Sequence, residues 1–247
     1  MGLLLLLTFL QPPIRSEAFV VTGTLASADA TQAACADAKF VYAISNTRVV
    51  KYDRETQKEL ARSDGEAFHL NSGLIWNGKI YCAHSYYPKK PDESDIRVCD
   101  PETMKLTIFH AFKNPPGSLT WVLPREDGWW CCFAHYGADN GKTVLVHFDM
   151  EWKEIARRTF PEKLIADWDK SSLSGGIWDG KTLLATGHDK KVIYRLKLPA
   201  QGAEMEWVTT HDSPFPGQGI AKDPATGGLI GIDRGQKKVV FASLGKK

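Results

Sequence analysis

Residues 72–84 read SGLIWNGKIYCAH, and residues 174–188 read SGGIWDGKTLLATGH. Both stretches begin with Ser-Gly, reach a Trp followed by Asn-Gly or Asp-Gly, and end in an apolar run closed by a histidine. Asn-Gly and Asp-Gly are strong signals for a two-residue turn between antiparallel strands, because that turn requires positive φ at its centre. Each stretch therefore predicts a β-hairpin, and together they predict a repeat.

A second series of turns alternates with these hairpins along the chain. Its members begin with an aspartate, which favours a tight turn, and they read DRET (53–56), DPET (100–103) and DMEW (149–152). With both series in place, four strands recur about every 45 to 50 residues, which is the period of a β-propeller blade. Helical periodicity is almost absent, apart from a short stretch at 161–168. The sequence therefore predicts an all-β chain of four-stranded antiparallel blades.

The last of five predicted blades is one strand short. It offers Gln218–Lys222, Leu229–Asp233 and Lys238–Leu244. An open ring would leave unpaired strand edges, so we expect Phe19–Leu25 to supply the missing outer strand and close the ring. The predicted fold is a five-bladed β-propeller, closed by an N-terminal strand that completes the last blade. Trp76 and Trp178, at equivalent blade positions, are expected to pack between blades.

Length and charge limit the class of protein. The 247 residues, 43% of them hydrophobic, suffice for one domain with a sizeable core. The 31 basic and 29 acidic residues give a net charge of +2, without a long run of one sign. Nucleic acid is therefore not an expected partner. We expect a monomer that binds a small-molecule or carbohydrate ligand.

The N-terminal sequence MGLLLLLTFLQPPIRSEAF predicts export. An apolar run precedes a small-x-small site at 16–18, so residues 1–18 are predicted to be a signal peptide and residues 19–247 a single propeller domain, secreted or periplasmic. The run is too short for a permanent span, and no membrane span is expected in the mature form. A buried strand is the alternative. The cysteines lack CxxC spacing and are mostly expected to be buried, namely Cys35, Cys82, Cys99, Cys131 and Cys132.

Four polar residues end the predicted second strands of successive blades. These residues are His84, His135, His188 and Asp233, which lie 51, 53 and 45 residues apart, with Asn46 as the blade-one counterpart. The same face carries the long loops, where binding residues tend to lie. Because neutral imidazole is a common metal ligand, the pattern predicts a divalent metal on the axis. The alternatives are an acid–base histidine pair with an anion-binding rim, or histidines that only stabilise the blades.

Further candidates lie beside these positions. The innermost strands begin at the same mouth, tyrosines follow the histidines on the loops, and two basic residues follow the ring positions of blades four and five. The candidate catalytic residues are His69, Tyr86 and Tyr136. The candidate substrate-binding residues are Asn46, Asn71, Ser72, Ser118, Ser174, Lys190 and Arg234.

Four motifs carry a resemblance to known propellers. HLNSGLIWNGKIYCAHSYYP, REDGWWCCFAHYG, SGGIWDGKTLLATGHD and GQGIAKD resemble segments of exported bacterial five-bladed β-propeller proteins that are often labelled cycloisomerases. A more distant resemblance is to the five-bladed glutaminyl cyclotransferases and olfactomedin domains, although the acidic central motifs of the cyclotransferases are absent. The histidine and glutamine metal site of propeller-fold polysaccharide lyases is similar in chemistry to His84, His135, His188 and Gln218.

The leading functional hypothesis is an exported metal-dependent lyase or isomerase, cycloisomerase-like, acting on a small carboxylate-bearing or sugar-derived substrate. Its metal would be held by His84, His135 and His188, with Asp233 or Gln218 completing the shell, and would stabilise an enolate-like charge. Two alternatives remain. One is a non-catalytic propeller that binds a glycan or a protein, and the other is acyl transfer of the glutaminyl cyclotransferase type.

Overall fold

The predicted architecture is confirmed by a computed structural model that describes residues 15–90 and 92–245. The described strands form five sheets arranged as a ring of blades. Each blade has four antiparallel strands that follow the order of the chain from the axis outward, except the last blade, whose outer strand comes from the N-terminal segment. The protein is therefore a five-bladed β-propeller. Within the described residues, helix is confined to α1, Glu162–Asp167, in the connection between blades three and four, and to one 3₁₀ turn at Gly137–Lys142, inside blade three.

The strands of the first three blades run from the ring axis outward. Blade one contains β3 Ala33–Ala36, β4 Phe40–Ile44, β5 Val49–Asp53 and β6 Glu59–Arg62. Blade two contains β7 Leu70–Trp76, β8 Lys79–Ser85, β9 Ser94–Cys99 and β10 Leu106–Ala111. Blade three contains β11 Ser118–Arg125, β12 Gly128–Ala134, β13 Val144–Phe148 and β14 Glu154–Arg158.

The last two blades involve the N-terminal segment. Blade four contains β15 Gly175–Asp179, β16 Thr182–Thr186, β17 Val192–Lys197 and β18 Glu206–Asp212, with β1 Arg15–Ser16 added in parallel at its outer edge. Blade five contains β19 Ala221–Lys222, β20 Leu229–Asp233 and β21 Lys238–Leu244, and its outer strand is β2 Phe19–Ala26. The predicted closure of the ring by an N-terminal strand is confirmed.

The predicted signal peptide lies largely outside the described residues. Of its eighteen positions, 15–18 are described: Arg15 and Ser16 pair with Thr210 and His211 of β18, and the Glu17 carbonyl accepts a hydrogen bond from His211 Nδ1 at 2.8 Å. Within the described residues, no helix is long and apolar enough to cross a membrane. Cleavage after position 18 stays a prediction.

The ring has two faces with different connections. The face that we call the hairpin face carries the tight turns, such as Asn77-Gly78, where both residues have positive φ and Trp76 pairs with Lys79. In blade four the turn is shifted by one residue, so that Asp179 pairs with Thr182 across Gly180 and Lys181. The opposite face, called the loop face, carries the long connections and the ends of the second strands.

The core consists of apolar layers between neighbouring blades. Trp121, Trp129 and Trp168 are among its largest fully buried side chains. The rings of Trp76 and Trp178 pack edge-on against Trp129 and Trp130 of blade three, at centroid distances of 5.5 and 5.6 Å. Both tryptophans therefore lie between blades as predicted. All five cysteines are buried and free.

Candidate functional site

A polar cavity of about 300 Å³ opens at the loop face, on the axis of the ring, and we call it the axial cavity. Its walls come from the starts of the innermost strands and the ends of the second strands, so every blade contributes. Seven residues predicted from the sequence line it, namely His69, Asn71, Tyr136, Ser174, His188, Gln218 and Arg234. Four others complete the lining, namely Gln32, Tyr87, Lys170 and Ser171.

His188 is held in a defined orientation at the edge of this cavity. Its Nδ1 lies 2.6 Å from Oδ2 of Asp189, and the other carboxylate oxygen of Asp189 accepts a hydrogen bond from Arg234 Nη2 at 3.0 Å. Since a carboxylate can only accept, Nδ1 carries a proton, and in the neutral form of the ring the lone pair is therefore on Nε2. Within the described residues Nε2 has no hydrogen-bond partner. His188 therefore has the arrangement of a general base.

The turn at residues 216–219 packs against the backbone of His188 and constrains its position. Gln218 is 3% exposed and adopts a positive φ of 71°, which is uncommon for a residue with a side chain. Its Nε2 donates to the His188 carbonyl at 2.9 Å. A Cβ on Gly217 would lie 2.4 Å from the carbonyl carbon and oxygen of His188, so only glycine allows this approach. The backbone at the cavity is thus tightly constrained.

His69 and Tyr136 have pKa values shifted by their surroundings. Burial lowers the pKa of His69, and this effect outweighs the hydrogen bond to the Tyr87 backbone, which acts in the opposite direction. Burial raises the pKa of the Tyr136 hydroxyl above its usual value, and the rings of Tyr136 and Tyr87 lie 4.9 Å apart. At neutral pH His69 is an uncharged imidazole, and Tyr136 is a protonated phenol whose hydroxyl is able to donate a hydrogen bond to a ligand.

The charges on the cavity wall are all positive. Lys170 and Arg234 line it, and none of the described lining residues is an aspartate or glutamate. The ammonium group of Lys170 has no partner among the described residues, whereas Arg234 is bonded to Asp189 through one guanidinium nitrogen. The wall therefore suits a small ligand that carries a carboxylate or another anionic group.

His84 lies at the equivalent strand end of blade two but away from the cavity. It is 0% exposed, its Nδ1 lies 3.1 Å from Asp95 Oδ2, and its Nε2 accepts the Phe68 backbone N–H at 2.9 Å. Arg97 binds the other oxygen of Asp95 at 2.6 Å. Burial disfavours the charged carboxylate, yet the hydrogen bonds from His84 and Arg97 keep the pKa of Asp95 below its usual value. His84 has no nitrogen left for a ligand.

Three other ring candidates also bind within the protein. His135 Nε2 donates to the Pro116 carbonyl at 2.5 Å. Lys190 Nζ contacts Asp167 Oδ1 at 3.3 Å and Asp169 Oδ2 at 3.4 Å. The carboxylate of Asp233 accepts two hydrogen bonds from Gln236, both at 3.0 Å, within the turn that follows β20.

The remaining candidates stand behind or beside the cavity wall. Asn46 accepts a hydrogen bond from the lining residue Gln32 at 2.5 Å. Ser72 and Ser118 are 5% and 4% exposed and do not line the cavity. Tyr86 stacks on Phe68 with a centroid distance of 5.9 Å and accepts a hydrogen bond from Arg97 at 3.4 Å.

Tyr86 borders a different depression, a shallow groove of about 800 Å³ between blades one and two. This groove is larger than the axial cavity, but its arginines face carboxylates of the protein: Arg62 binds Glu59 at 2.6 Å, and Arg97 binds Asp95. The axial cavity, with its unpaired imidazole nitrogen and ammonium group, is therefore the stronger candidate for a functional site.

The five predicted metal ligands do not form one donor set in this arrangement. Only His188 and Gln218 line the axial cavity, while His84 and His135 use ring nitrogens on protein partners. The described residues contain no group of three or more His, Cys, Asp or Glu side chains placed to hold a metal ion. A bound divalent metal stays a prediction, and we derive no chemical step through it.

Four lining residues were not predicted from the sequence, and only some of them lie at positions that the sequence repeat could have identified. Gln32 lies next to the start of the innermost strand of blade one, and Asn71 and Gln218 lie at the corresponding places in blades two and five. The repeat could therefore have predicted Gln32 as a lining residue. Tyr87 follows Tyr86 on the same loop. Lys170 and Ser171 lie in the long connection before β15, and no periodic signal places them, because that connection contains α1 and has no counterpart in the other blades.

The closed ring of five blades around a polar axial cavity places the protein among the five-bladed β-propellers. The comparisons with known proteins agree with this fold. No family model matches the chain, and no curated protein matches its sequence. The structure is similar to that of glutaminyl cyclase from Myxococcus xanthus, with a TM-score of 0.65, 9% identity, and coverage of 94% of this chain and 97% of that one.

A second structural neighbour is the β-propeller domain of Cps50 (Swd1) from Myceliophteria thermophila. Its TM-score is 0.51 and its identity 10%, with coverage of 92% of this chain and 100% of that one. At such identities the likeness shows the propeller fold alone. The resemblance to a glutaminyl cyclotransferase propeller is supported at the level of the fold, and the cycloisomerase label stays a prediction.

Proposed function

We propose that the axial cavity is the active site of an enzyme that transfers a proton on a small carboxylate-bearing substrate, in a reaction of lyase or isomerase type. The observation that carries this proposal is the hydrogen bond between His188 Nδ1 and Asp189 at 2.6 Å, which leaves Nε2 as a free acceptor beside the cavity. An imidazole oriented by a carboxylate is a common general base, and Asp189 would stabilise the imidazolium that forms.

The positive wall supplies the binding step. Lys170 and Arg234 would hold the substrate carboxylate, and the same charges would stabilise the enolate-like oxyanion that develops when the α-proton leaves. His188 Nε2 would accept that proton. Tyr136, whose raised pKa keeps it protonated, would donate a hydrogen bond or a proton to the intermediate.

The cavity limits the size of the substrate. Its volume of about 300 Å³ is at the lower end of the range for small-molecule sites, so a polymer would have to enter by one terminal unit. The polar lining also favours a hydrated acid or a sugar-derived acid over an apolar one. The neutral His69 and the amide of Gln218 would contact its hydroxyl or carbonyl groups.

Proton exchange tests this proposal without knowledge of the product. The protein is incubated with a panel of small hydroxy, keto and sugar acids in D₂O, and loss of the α-proton signal is followed by NMR. We expect exchange or turnover of at least one acid, and a reduction of about 10²- to 10⁴-fold in the His188→Ala variant. The Asp189→Asn variant should lose part of the rate.

Tyr86→Phe provides the control, because Tyr86 lies outside the axial cavity. Its rate should equal that of the unmodified protein. Equal rates in His188→Ala would refute the assignment of the base. Saturable binding of an acid without exchange or turnover would favour a non-catalytic binding protein instead.

A second candidate is cyclisation of an N-terminal glutaminyl residue, which the structural likeness to glutaminyl cyclase over almost the full chain favours. In that reaction His188 would assist attack of the α-amine on the side-chain amide, and ammonia would leave. Release of ammonia from a Gln-initiated peptide, abolished by His188→Ala, would support it. The absence of ammonia at high enzyme concentration would exclude this candidate.

A further inference from the structure

We propose a second ligand site at the opposite end of the ring axis, a pocket for a small amphipathic anion with an apolar or aromatic body. The hairpin face carries a cavity of about 380 Å³, which we call the apolar mouth. It is lined by the hairpin ends of the five innermost strands, chiefly by Leu74, Ile75, Trp76, Leu123, Ile177 and Trp178. The proposal does not depend on the reaction at the axial cavity.

The floor and walls of the apolar mouth are preformed. Leu123 and Ile177 are each 4% exposed, and the two indoles are braced by edge contacts with buried tryptophans of blade three. Leu74, Ile75 and Trp76 are only half-buried, although each is large and apolar. Soluble proteins seldom leave such a concave apolar surface open to water unless it binds something.

The charged residues at the rim of the apolar mouth indicate the charge of the ligand. The Asp37 carboxylate accepts hydrogen bonds from the Tyr42 hydroxyl and from two backbone amides, and Lys222 is paired with Asp179 at 2.6 Å. Arg125 remains: its guanidinium lies over the Trp178 ring, 4.7 Å from the centroid, and no carboxylate binds it among the described residues. The Asp37 carboxylate thus has its hydrogen-bonding capacity met inside the protein, and among the described residues beside the mouth Arg125 is the charged side chain left without a polar partner.

An anionic group at Arg125 and an apolar body in the mouth would satisfy both features at once. The volume of about 380 Å³ suits a fused aromatic ring system or a medium acyl chain. We therefore commit to a small molecule of this kind, such as an aromatic or medium-chain carboxylate. A second copy of the chain, or a hydrophobic side chain of a protein partner, is the competing occupant.

Fluorescent probes with and without a charge test the proposal. The anionic probe is 8-anilinonaphthalene-1-sulfonate, and the uncharged probe is N-phenyl-1-naphthylamine. We expect saturable binding of the anionic probe, competed by decanoate, with an affinity about tenfold lower in Ile75→Asp, which places a carboxylate in the mouth. Ile75→Ser should weaken both probes and serves if Ile75→Asp does not fold.

Two further variants locate the probe and its charge. Arg125→Gln should weaken the sulfonate probe by about three- to tenfold and leave the uncharged probe unchanged. His188→Ala, at the far end of the axis, should bind both probes like the unmodified protein. Binding of the sulfonate probe that is insensitive to Ile75→Asp and Ile75→Ser, or equal effects of Arg125→Gln on both probes, would overturn the proposal.

Sedimentation distinguishes the competing occupant. A concentration-dependent dimer that Ile75→Asp or Ile75→Ser dissociates, and that decanoate does not, would replace the small-molecule site by an interface between copies. A monomer at all concentrations that binds the sulfonate probe stoichiometrically supports the proposal.

Discussion

His84 and His188 occupy equivalent ends of the second strands of two blades, yet the two residues are in opposite situations. His84 is fully buried and uses both ring nitrogens, one on Asp95 and one on the Phe68 backbone. The His188 side chain is 36% exposed and uses one nitrogen on Asp189. The difference arises from the partner: Asp95 lies on the next strand of the same blade, whereas Asp189 is the next residue in the chain. A repeated position therefore does not imply a repeated role.

The largest expected effect is the loss of stability in His84→Ala. The substitution would leave the buried Asp95–Arg97 pair without its third member and the Phe68 N–H without an acceptor, at a cost of about 3–5 kcal/mol in the free energy of unfolding. His188→Ala should change that free energy by about 0.5 kcal/mol, because the ring and its partner are solvent-accessible. Urea denaturation of both variants measures the difference. Equal losses would show that the two sites do not differ as described.

The next effect concerns the backbone that supports His188. Gly217→Ala combines a positive φ of 75° with a Cβ 2.4 Å from the His188 carbonyl group, so we expect a loss of about 2–5 kcal/mol in the free energy of unfolding. Gly78→Ala is the matched control: its φ is 72°, but nothing lies within 4 Å of the added Cβ, so about 1–2 kcal/mol should be lost. Similar costs at both positions would argue against close packing beneath the axial cavity.

A smaller effect is the contribution of His69 to the pH dependence of the free energy of unfolding. His69 differs from both His84 and His188. Burial lowers its native pKa, so between that value and the unfolded value of about 6.5 the unfolded chain binds more protons. The contribution of neutral His69 is complete above pH 6.5 and is lost as the pH falls through the native pKa. His69→Gln should therefore reduce the decline in unfolding free energy below pH 6.5, measured by urea titrations at several pH values. If the decline in His69→Gln equals that of the unmodified protein, the His69 side chain is solvent-exposed and its pKa is not lowered by burial.

The smallest expected change is in the reactivity of the buried thiols. Cys82 lies two residues before His84 and is fully buried, and burial raises the pKa of the Cys99 and Cys132 thiols to about 12. The native protein should react only slowly with a disulfide reagent at pH 8, and all five thiols should react in urea. His188→Ala should leave the native rate unchanged, and His84→Ala should raise it. Rapid native labelling would contradict the buried positions.

Much of the fold could be predicted because turn chemistry is local. Asn77-Gly78 and the Asp-led turns mark the strand ends directly, and the observed blades follow the predicted ones closely. The innermost strand of blade five is the exception. Gln218–Lys222 was predicted, but the strand begins at Ala221, because Gly217 and Gln218 have positive φ and turn the chain toward the axis.

The site was less predictable, since it depends on which groups bind each other across the sheet. The strand ends placed His69, His188 and Gln218 at the axial cavity, but the sequence does not reveal that Asp95 binds His84 inside its blade. Turn offsets of one residue in blades three and four also change which side chain faces the axis. Lys170 enters from a connection whose path is set by tertiary packing alone.

Closure of the ring has a consequence for biosynthesis. β2 pairs with β21 from Phe19 opposite Leu244 to Ala26 opposite Lys238, so strands from the two ends of the chain share one sheet. While a ribosome is still adding the last blade, β2 lacks its neighbour and exposes an edge that can pair with other chains. Folding can therefore finish only after β21 has emerged, and a chaperone that shields β2 during translation would limit aggregation.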